Sequence, residues 1–269
     1  MELITNEKCT GCGACSNACP KNAIEMKIDK EGFYKPFIHE ERCIDCKVCQ
    51  KKCPLNYPDY SNNHNPNVYA LMAEDEIRMR SSSGGAFELM ATEILKNAGY
   101  VCGVAYKKDY TTHHVLINDK EKMHLIQGSK YVMSNVENIY KEIGRILDLG
   151  GKVLFSGCPC QVAGLNVYLG NKRKSDNLIT VDLICHGIPS VKSFQKYLKD
   201  VHHNRPIKHI GFKDKEYGWH ASMTIDFDDG ERFNEPCEKD VYFWSYLSGV
   251  NKNKACGDCK FERIPRKGD

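Results

Sequence analysis

Eight cysteines of this 269-residue chain fall in two copies of one spacing, C-x2-C-x2-C-x3-C-P. Cys9, Cys12, Cys15 and Cys19 precede Pro20, and Cys43, Cys46, Cys49 and Cys53 precede Pro54. This is the bacterial ligand pattern for two [4Fe-4S] clusters, in which the fourth cysteine of each run serves the other run's cluster. The expected sets are therefore Cys9, Cys12 and Cys15 with Cys53, and Cys43, Cys46 and Cys49 with Cys19. A zinc site needs four ligands and leaves the third cysteine of each run and the repeated CP ending unexplained.

Five further cysteines also have suggestive spacing. Cys158 and Cys160 lie in GCPCQ, Cys185 in CHGIPS, and Cys256 and Cys259 in CGDC. The first two segments follow apolar, strand-like runs, and turns after strands gather at one edge of an α/β sheet, so the three segments can converge. Four of the five thiols satisfy a third [4Fe-4S] cluster or a zinc ion, and the CxC and CxxC pairs also suit a thiol redox pair. Cys102 and Cys237 read as inert, buried thiols.

Two stretches have the composition of a cofactor cradle. Ser81-Ser82-Ser83-Gly84-Gly85 stands at the start of a helical pattern, where glycines permit close backbone approach and free N–H groups favour an anion or the polar edge of a flavin. The same residues also make an ordinary N-cap turn. In Gln127-Gly-Ser-Lys-Tyr-Val-Met-Ser134, a lysine beside a flavin stabilises its reduced anion, although the stretch also reads as a plain surface strand. His186, beside Cys185, is the candidate for proton transfer, with His220 as a second; both also fit packed or exposed roles. Lys172-Arg173-Lys174 reads as a solvated loop.

These groups need elements to position them. A hairpin about Glu31-Gly32 fits a small ferredoxin-like fold between the two cysteine runs. The segment Asn56–Asn67 has no hydrophobic period and reads as a linker, giving residues 1–58 as a two-cluster domain, 59–67 as the linker and 68–269 as the second domain. In the second domain, strands are expected at Val68–Ala73, Tyr100–Tyr106, Val115–Ile117, Lys152–Phe155 and Leu178–Ile184, and Ile225–Phe227 opens a hairpin. Helical stripes run from Ala86 to Leu95 and from Val136 to Leu147. The order predicts an α/β fold with a mixed sheet and helices, preceded by a small α+β ferredoxin-like domain.

Composition narrows the function classes. Thirty-eight Lys and Arg against 35 Asp and Glu is too even a balance to argue for nucleic acid or an anionic membrane surface. Residues 1–58 carry nine basic and eight acidic residues, a weak field for a freely diffusing carrier and a better match to a fused module. No apolar run reaches the roughly 18 residues of a membrane span, and MELITNEKCTGCG has no apolar leader core, so a cytoplasmic protein with reduced thiols is expected.

In order, SSSGGAF, GSKYVMS, GCPCQVAGL, CHGIPS, FKDKEYGW and CGDC cover nearly all of the chain after the linker. On these motifs the chain resembles the coenzyme F420 hydrogenase/dehydrogenase beta subunit family, in the form with an N-terminal two-cluster ferredoxin domain. The resemblance implies FAD held by Ser82, Ser83, Gly84, Gly85, Ser129, Lys130 and Tyr131. It implies a third [4Fe-4S] cluster on Cys160, Cys185, Cys256 and Cys259, because the family pattern G-x-P-C-Q leaves Cys158 aside. Relatives continue beyond FERIPRKGD, so the flavin domain is expected to be C-terminally truncated here. Many relatives stand beside cell-surface polysaccharide genes, so the family does not fix the acceptor.

The expected function is an iron–sulfur flavoprotein oxidoreductase subunit, passing electrons between clusters and a flavin that exchanges hydride with F420 or another organic acceptor. Its partners are a redox protein or subunit and that small molecule. The alternative is a non-catalytic electron-transfer or docking subunit of a larger complex.

Overall fold

The computed structural model describes residues 7–57, 66–216, 218–219, 221–262 and 266–269. Most of the linker, and His220, lie outside the described residues.

In the N-terminal module, α1 (Ala14–Ala18) follows the first three cysteines. A two-stranded antiparallel hairpin of β1 (Ile24–Ile28) and β2 (Tyr34–Ile38) follows it, and α2 (Val48–Lys51) carries Cys49. The hairpin turns at the expected Glu31-Gly32, with Gly32 at φ +91°. At Gly11, φ is +71° and a Cβ would stand 2.4 Å from the Tyr34 carbonyl oxygen. Only glycine lets the cysteine loop bend this way and lie against the hairpin.

After the linker come α3 (Asp75–Met79), α4 (Ala86–Lys96), β3 (Tyr100–Tyr106), β4 (Thr112–Ile117), α5 (Met123–Ile126), β5 (Ser134–Asn135), α6 (Ile139–Asp148), β6 (Val153–Gly157), α7 (Pro159–Leu169) and β7 (Leu178–Asp182). The strands form one five-stranded mixed sheet in the order β5-β4-β3-β6-β7, with β3 and β4 antiparallel and the other pairings parallel. Val153, Leu154 and Phe155 are all wholly buried, as a central strand covered on both faces requires. The chain then forms α8 (Val191–His202), β8 (Ile207–Phe212), β9 (Ser222–Phe227), β10 (Arg232–Pro236) and α9 (Val241–Leu247). The last three strands make an antiparallel sheet in the order β10-β9-β8, and the β9–β10 turn falls at the expected Asp228-Asp229-Gly230. The mixed α/β fold with a small α+β module in front is as the sequence predicts.

Helix α7 explains how the two regions join. Ten of its eleven residues are buried, so it is apolar all round and packs against the sheet and against α1. Lys52 Nζ donates to the Val167 and Tyr168 carbonyls at 2.9 and 3.0 Å, a cation on the free carbonyls at the α7 C-terminus. Asn17 Nδ2 donates to Glu137 O at 2.7 Å, and Ser190 Oγ to Glu31 O at 2.7 Å. The N-terminal module is built into the molecule.

Four local expectations differ from the structure. Val68–Ala73 is not a strand: Val68 and Tyr69 are 91% and 82% exposed, and a β-prone run without a neighbouring strand has nothing to pair with. Strand β7 ends at Asp182, which frees Leu183 and Ile184 for the loop that carries Cys185. Lys172-Arg173-Lys174 closes a short 3-10 helix over Gly170–Lys174, with Lys172 paired to Asp148 at 2.6 Å. Cys102 is wholly buried as expected, but Cys237 is only partly so, its thiol donating to Glu238 at 3.3 Å.

Candidate metal centres and flavin loop

The eight N-terminal thiols sort into two groups of four. Cys9, Cys12, Cys15 and Cys53 are near neighbours. Burial first, and then the charges of Cys53 and Cys9, push the Cys12 thiol up to about 12. Cys15 is pushed well above the ordinary thiol range by burial and then by Cys12, Cys9 and Cys53. Cys19, Cys43, Cys46 and Cys49 line one crevice together. Burial raises the Cys49 thiol, and the neighbouring Cys19 and Cys46 add to the effect. Each group takes three thiols from one run and the fourth from the other.

The donor sets fit clusters. Each is all-sulfur, and crowded buried thiols resist ionisation until a metal supplies the compensating charge, whereupon a coordinating thiol is deprotonated outright. The Ala23 N–H already donates to Cys19 Sγ at 3.2 Å, the kind of contact that tunes a cluster sulfur. Among the described residues, no group of three or more His, Cys, Asp or Glu is arranged to hold a single metal ion.

The third group comes from segments far apart in sequence. Parallel strands β6 and β7 end side by side, Gly157 opposite Asp182, so the loops after them deliver Cys158, Cys160 and Cys185 to one edge. Gln161 Oε1 accepts from the Cys158 N–H at 2.9 Å and fixes the start of α7. The end of the chain comes back along β7: Asp269 accepts from the Thr180 N–H at 2.7 Å and Arg266 pairs with Asp182 at 3.2 Å, which brings the CGDC segment alongside. Cys160 is 5% exposed, and burial followed by the charges of Cys185, Cys12, Cys256 and Cys259 raises its thiol far above the usual range. Burial likewise pushes Cys256 up to about 11, against the Ile188 N–H that donates to its sulfur at 3.3 Å. The fifth thiol, Cys158, donates to Cys185 and so draws the Cys185 thiol below its usual range.

The third group adjoins the first. A Cβ on Gly164 would lie 3.2 Å from Cys12 Sγ and 3.1 Å from the Tyr140 hydroxyl, so the glycine lets α7 lie closely against both. Tyr140, wholly buried, shares its one hydroxyl hydrogen between Cys12 O at 2.9 Å and Gln161 O at 2.7 Å, joining the first cysteine loop to the turn of α7 that holds Cys160.

The flavin motifs meet as well. The Ser129 N–H donates to Ser82 Oγ at 2.7 Å, drawing GSKY onto SSSGG. Gly85, at φ +88°, starts α4, and Gly84 O accepts from the Ala73 N–H at 2.8 Å. Ser83 is exposed, whereas Ser82 and Gly84 are half-buried. Desolvation pulls the Lys130 ammonium down to about 8, and its Nζ donates to Gln127 O at 2.8 Å. The Tyr131 ring packs at 4.7 Å from Tyr246, whose other side meets His186 at 5.3 Å in the loop of Cys185. His186 Nε2 is bonded to Leu247 O at 2.9 Å, which makes it a loop tether.

Three residues at these sites carry no assignment from sequence. Lys215, only 7% exposed, donates from Nζ to the carbonyls of Arg78, Ser81 and Ser83, the last at 3.0 Å. Its signal was its place in FKDKEYGW. Tyr246 lies in an aromatic-rich helix and Tyr140 in a helical stripe, and nothing local marks either as a link between centres.

Comparison with known proteins gives three family matches. Residues 8–57 match the 4Fe-4S dicluster domain. Residues 67–141 and 150–269 match the N-terminal and C-terminal parts of the coenzyme F420 hydrogenase/dehydrogenase beta subunit. Among solved structures, a chain of the F420-reducing [NiFe] hydrogenase complex from Methanosarcina barkeri is 22% identical, with 66% of this chain and 62% of that chain covered at a TM-score of 0.45. This chain thus spans 62% of the length of that solved relative. No curated protein matches significantly.

Proposed function

The chain belongs to the coenzyme F420 hydrogenase/dehydrogenase beta subunit family, and we propose that it is an iron–sulfur flavoprotein oxidoreductase subunit that wires three [4Fe-4S] clusters to FAD. Its dicluster domain makes it an iron–sulfur electron-transfer subunit. The flavin, the third cluster and hydride exchange with F420 or another organic acceptor are the proposal. So are the domain limits 1–58 and 68–269, a redox partner subunit and a cytoplasmic location. Among the described residues, no helix is long and apolar enough to cross a membrane.

The observation that carries this reading is contiguity. The first thiol group adjoins the third across Gly164 and Tyr140, and the third reaches the flavin motifs through Tyr246 and Tyr131. In this reading Cys9, Cys12, Cys15 and Cys53 hold one cluster, Cys19, Cys43, Cys46 and Cys49 another, and Cys160, Cys185, Cys256 and Cys259 the third. Ser82, Ser83, Gly84 and Gly85 offer donors to the flavin phosphate or ring edge, and Ser129 keeps that loop in place. Lys130, its ammonium pulled down to about 8 by desolvation, holds its proton more firmly beside an anion. When bound, FAD takes electrons singly from clusters and exchanges them in pairs as hydride.

Anaerobic reconstitution followed by iron, sulfide and flavin analysis tests this. About 12 iron atoms and one FAD per chain agree with it. About eight iron atoms without flavin leave only the electron-transfer or docking subunit.

A further inference from the structure

The two N-terminal thiol groups differ in what surrounds them. Cys9, Cys12, Cys15 and Cys53 face the rest of the molecule: Lys35 Nζ and Asn253 Nδ2 donate to Cys9 O, the latter at 3.5 Å, Gly11 lies on Tyr34 and Met133, and Cys12 lies under α7. The other group faces outward. All residues lining its crevice belong to the N-terminal module, between Cys19 and Cys49, and Cys46 is exposed. Beside it Ile44 is 59% exposed, a bare apolar side chain at the rim.

The rim also has a sign. Lys21 and Lys47 line the crevice and no carboxylate does. Of the nearby acids, Glu25 pairs with His39 at 2.9 Å and Lys27 at 3.4 Å, Glu41 with His39 at 3.4 Å and Arg42 at 3.5 Å, and Glu40 is exposed. Exposed Asp45 sits in the same loop, and exposed Lys51 on the adjoining helix offsets it. The charged side chains that line the crevice of the outward-facing thiol group are thus both cations.

We propose that the chain exchanges electrons with its redox partner through the Cys19, Cys43, Cys46 and Cys49 centre, and that this partner is a small acidic one-electron carrier protein seated over Ile44 between Lys21 and Lys47. In each forward encounter one electron passes from the reduced carrier to the outer centre, leaving the carrier oxidised by one; no bond forms or breaks and no proton moves. The inner centre receives the electron next, and α7 stands between it and solvent. The proposal rests on the two-cluster reading of residues 8–57 and is independent of the flavin.

The test is rapid mixing of the anaerobically reconstituted full chain with a reduced acidic two-iron ferredoxin, following the second-order rate of cluster bleaching against salt. The wild-type rate is expected to fall steeply as salt screens the encounter. A Lys21→Glu, Lys47→Glu double variant is expected to be about tenfold slower at low salt and nearly salt-independent, while Lys96→Glu, Lys199→Glu on other exposed surfaces matches wild type. Lys21→Gln, Lys47→Gln, with an intermediate rate, serves if the reversed pair does not take up iron. Equal slowing by both pairs, no effect of the Gln pair, or an equally fast reaction with a basic carrier of similar size overturns the proposal. Fewer than about eight iron atoms in the wild type overturns the two-cluster reading instead.

Discussion

The N-terminal thiol groups and the one at the sheet edge present the same kind of ligand but are assembled in different ways. Eight cysteines between Cys9 and Cys53 are placed by tight loops and short helices, with Pro20 and Pro54 turning the chain after each run. The third group spans Cys158 to Cys259, and its members meet only because β6 and β7 end together and the last residues return along β7. Local spacing carries the first two; the hydrophobic core carries the third. Damage to the core is therefore expected to cost the third centre before the first pair.

Phe155→Ala is the largest such perturbation. The ring is wholly buried in β6, three residues before Cys158, where the third group starts. Its loss is expected to destabilise the fold by about 3–5 kcal/mol, with iron falling from about 12 to about eight per chain under mild denaturant before the N-terminal centres are lost. Loss of all centres together would break the comparison.

Acid presses on the same place. His114 is 1% exposed and stacks on Phe155 at 5.4 Å, and burial pulls its imidazole down to about 4 from 6.5. The unfolded chain therefore takes up a proton there that the folded chain refuses. Stability from this group is complete above pH 6.5 and is lost as pH falls towards 4, by about 3 kcal/mol in all. Denaturant midpoints between pH 7.5 and 4.5 should fall more for wild type than for His114→Leu; parallel profiles would show that His114 is not the acid-sensitive group.

Two smaller changes separate the flavin loop from the metal centres. Lys215→Met removes a charged donor from three loop carbonyls and should cost about 2 kcal/mol, weaken FAD binding at least about tenfold and leave iron unchanged. Tyr140→Phe removes the hydroxyl between the Cys12 and Gln161 carbonyls. It should cost about 1 kcal/mol in thermal or chemical melts, with no change in iron, since backbone and packing persist.

The same division governs what was legible in the sequence. Spacing alone suggests the crosswise sorting of Cys19 and Cys53, and the two hairpins followed from their Glu31-Gly32 and Asp229-Gly230 turns. GCPCQ and CHGIPS were legible at one remove, because strand-turn patterns imply a common sheet edge. Val68–Ala73 misled because an apolar, β-prone run says nothing about whether a neighbouring strand exists. Lys215, Tyr246 and Tyr140 were opaque for the same reason: a lysine among charged residues and tyrosines in helical stripes gain their roles only from carbonyls and rings that the fold brings to them.

In the proposed reading a third cluster, built by the fold, continues the path begun by the two built from local spacing. Iron analysis of reconstituted wild type beside a Cys160→Ser, Cys256→Ser variant tests it most directly. A fall from about 12 to about eight iron atoms per chain, with the N-terminal clusters retained, is the predicted result. Equal iron in the two proteins, at about eight, would contradict it.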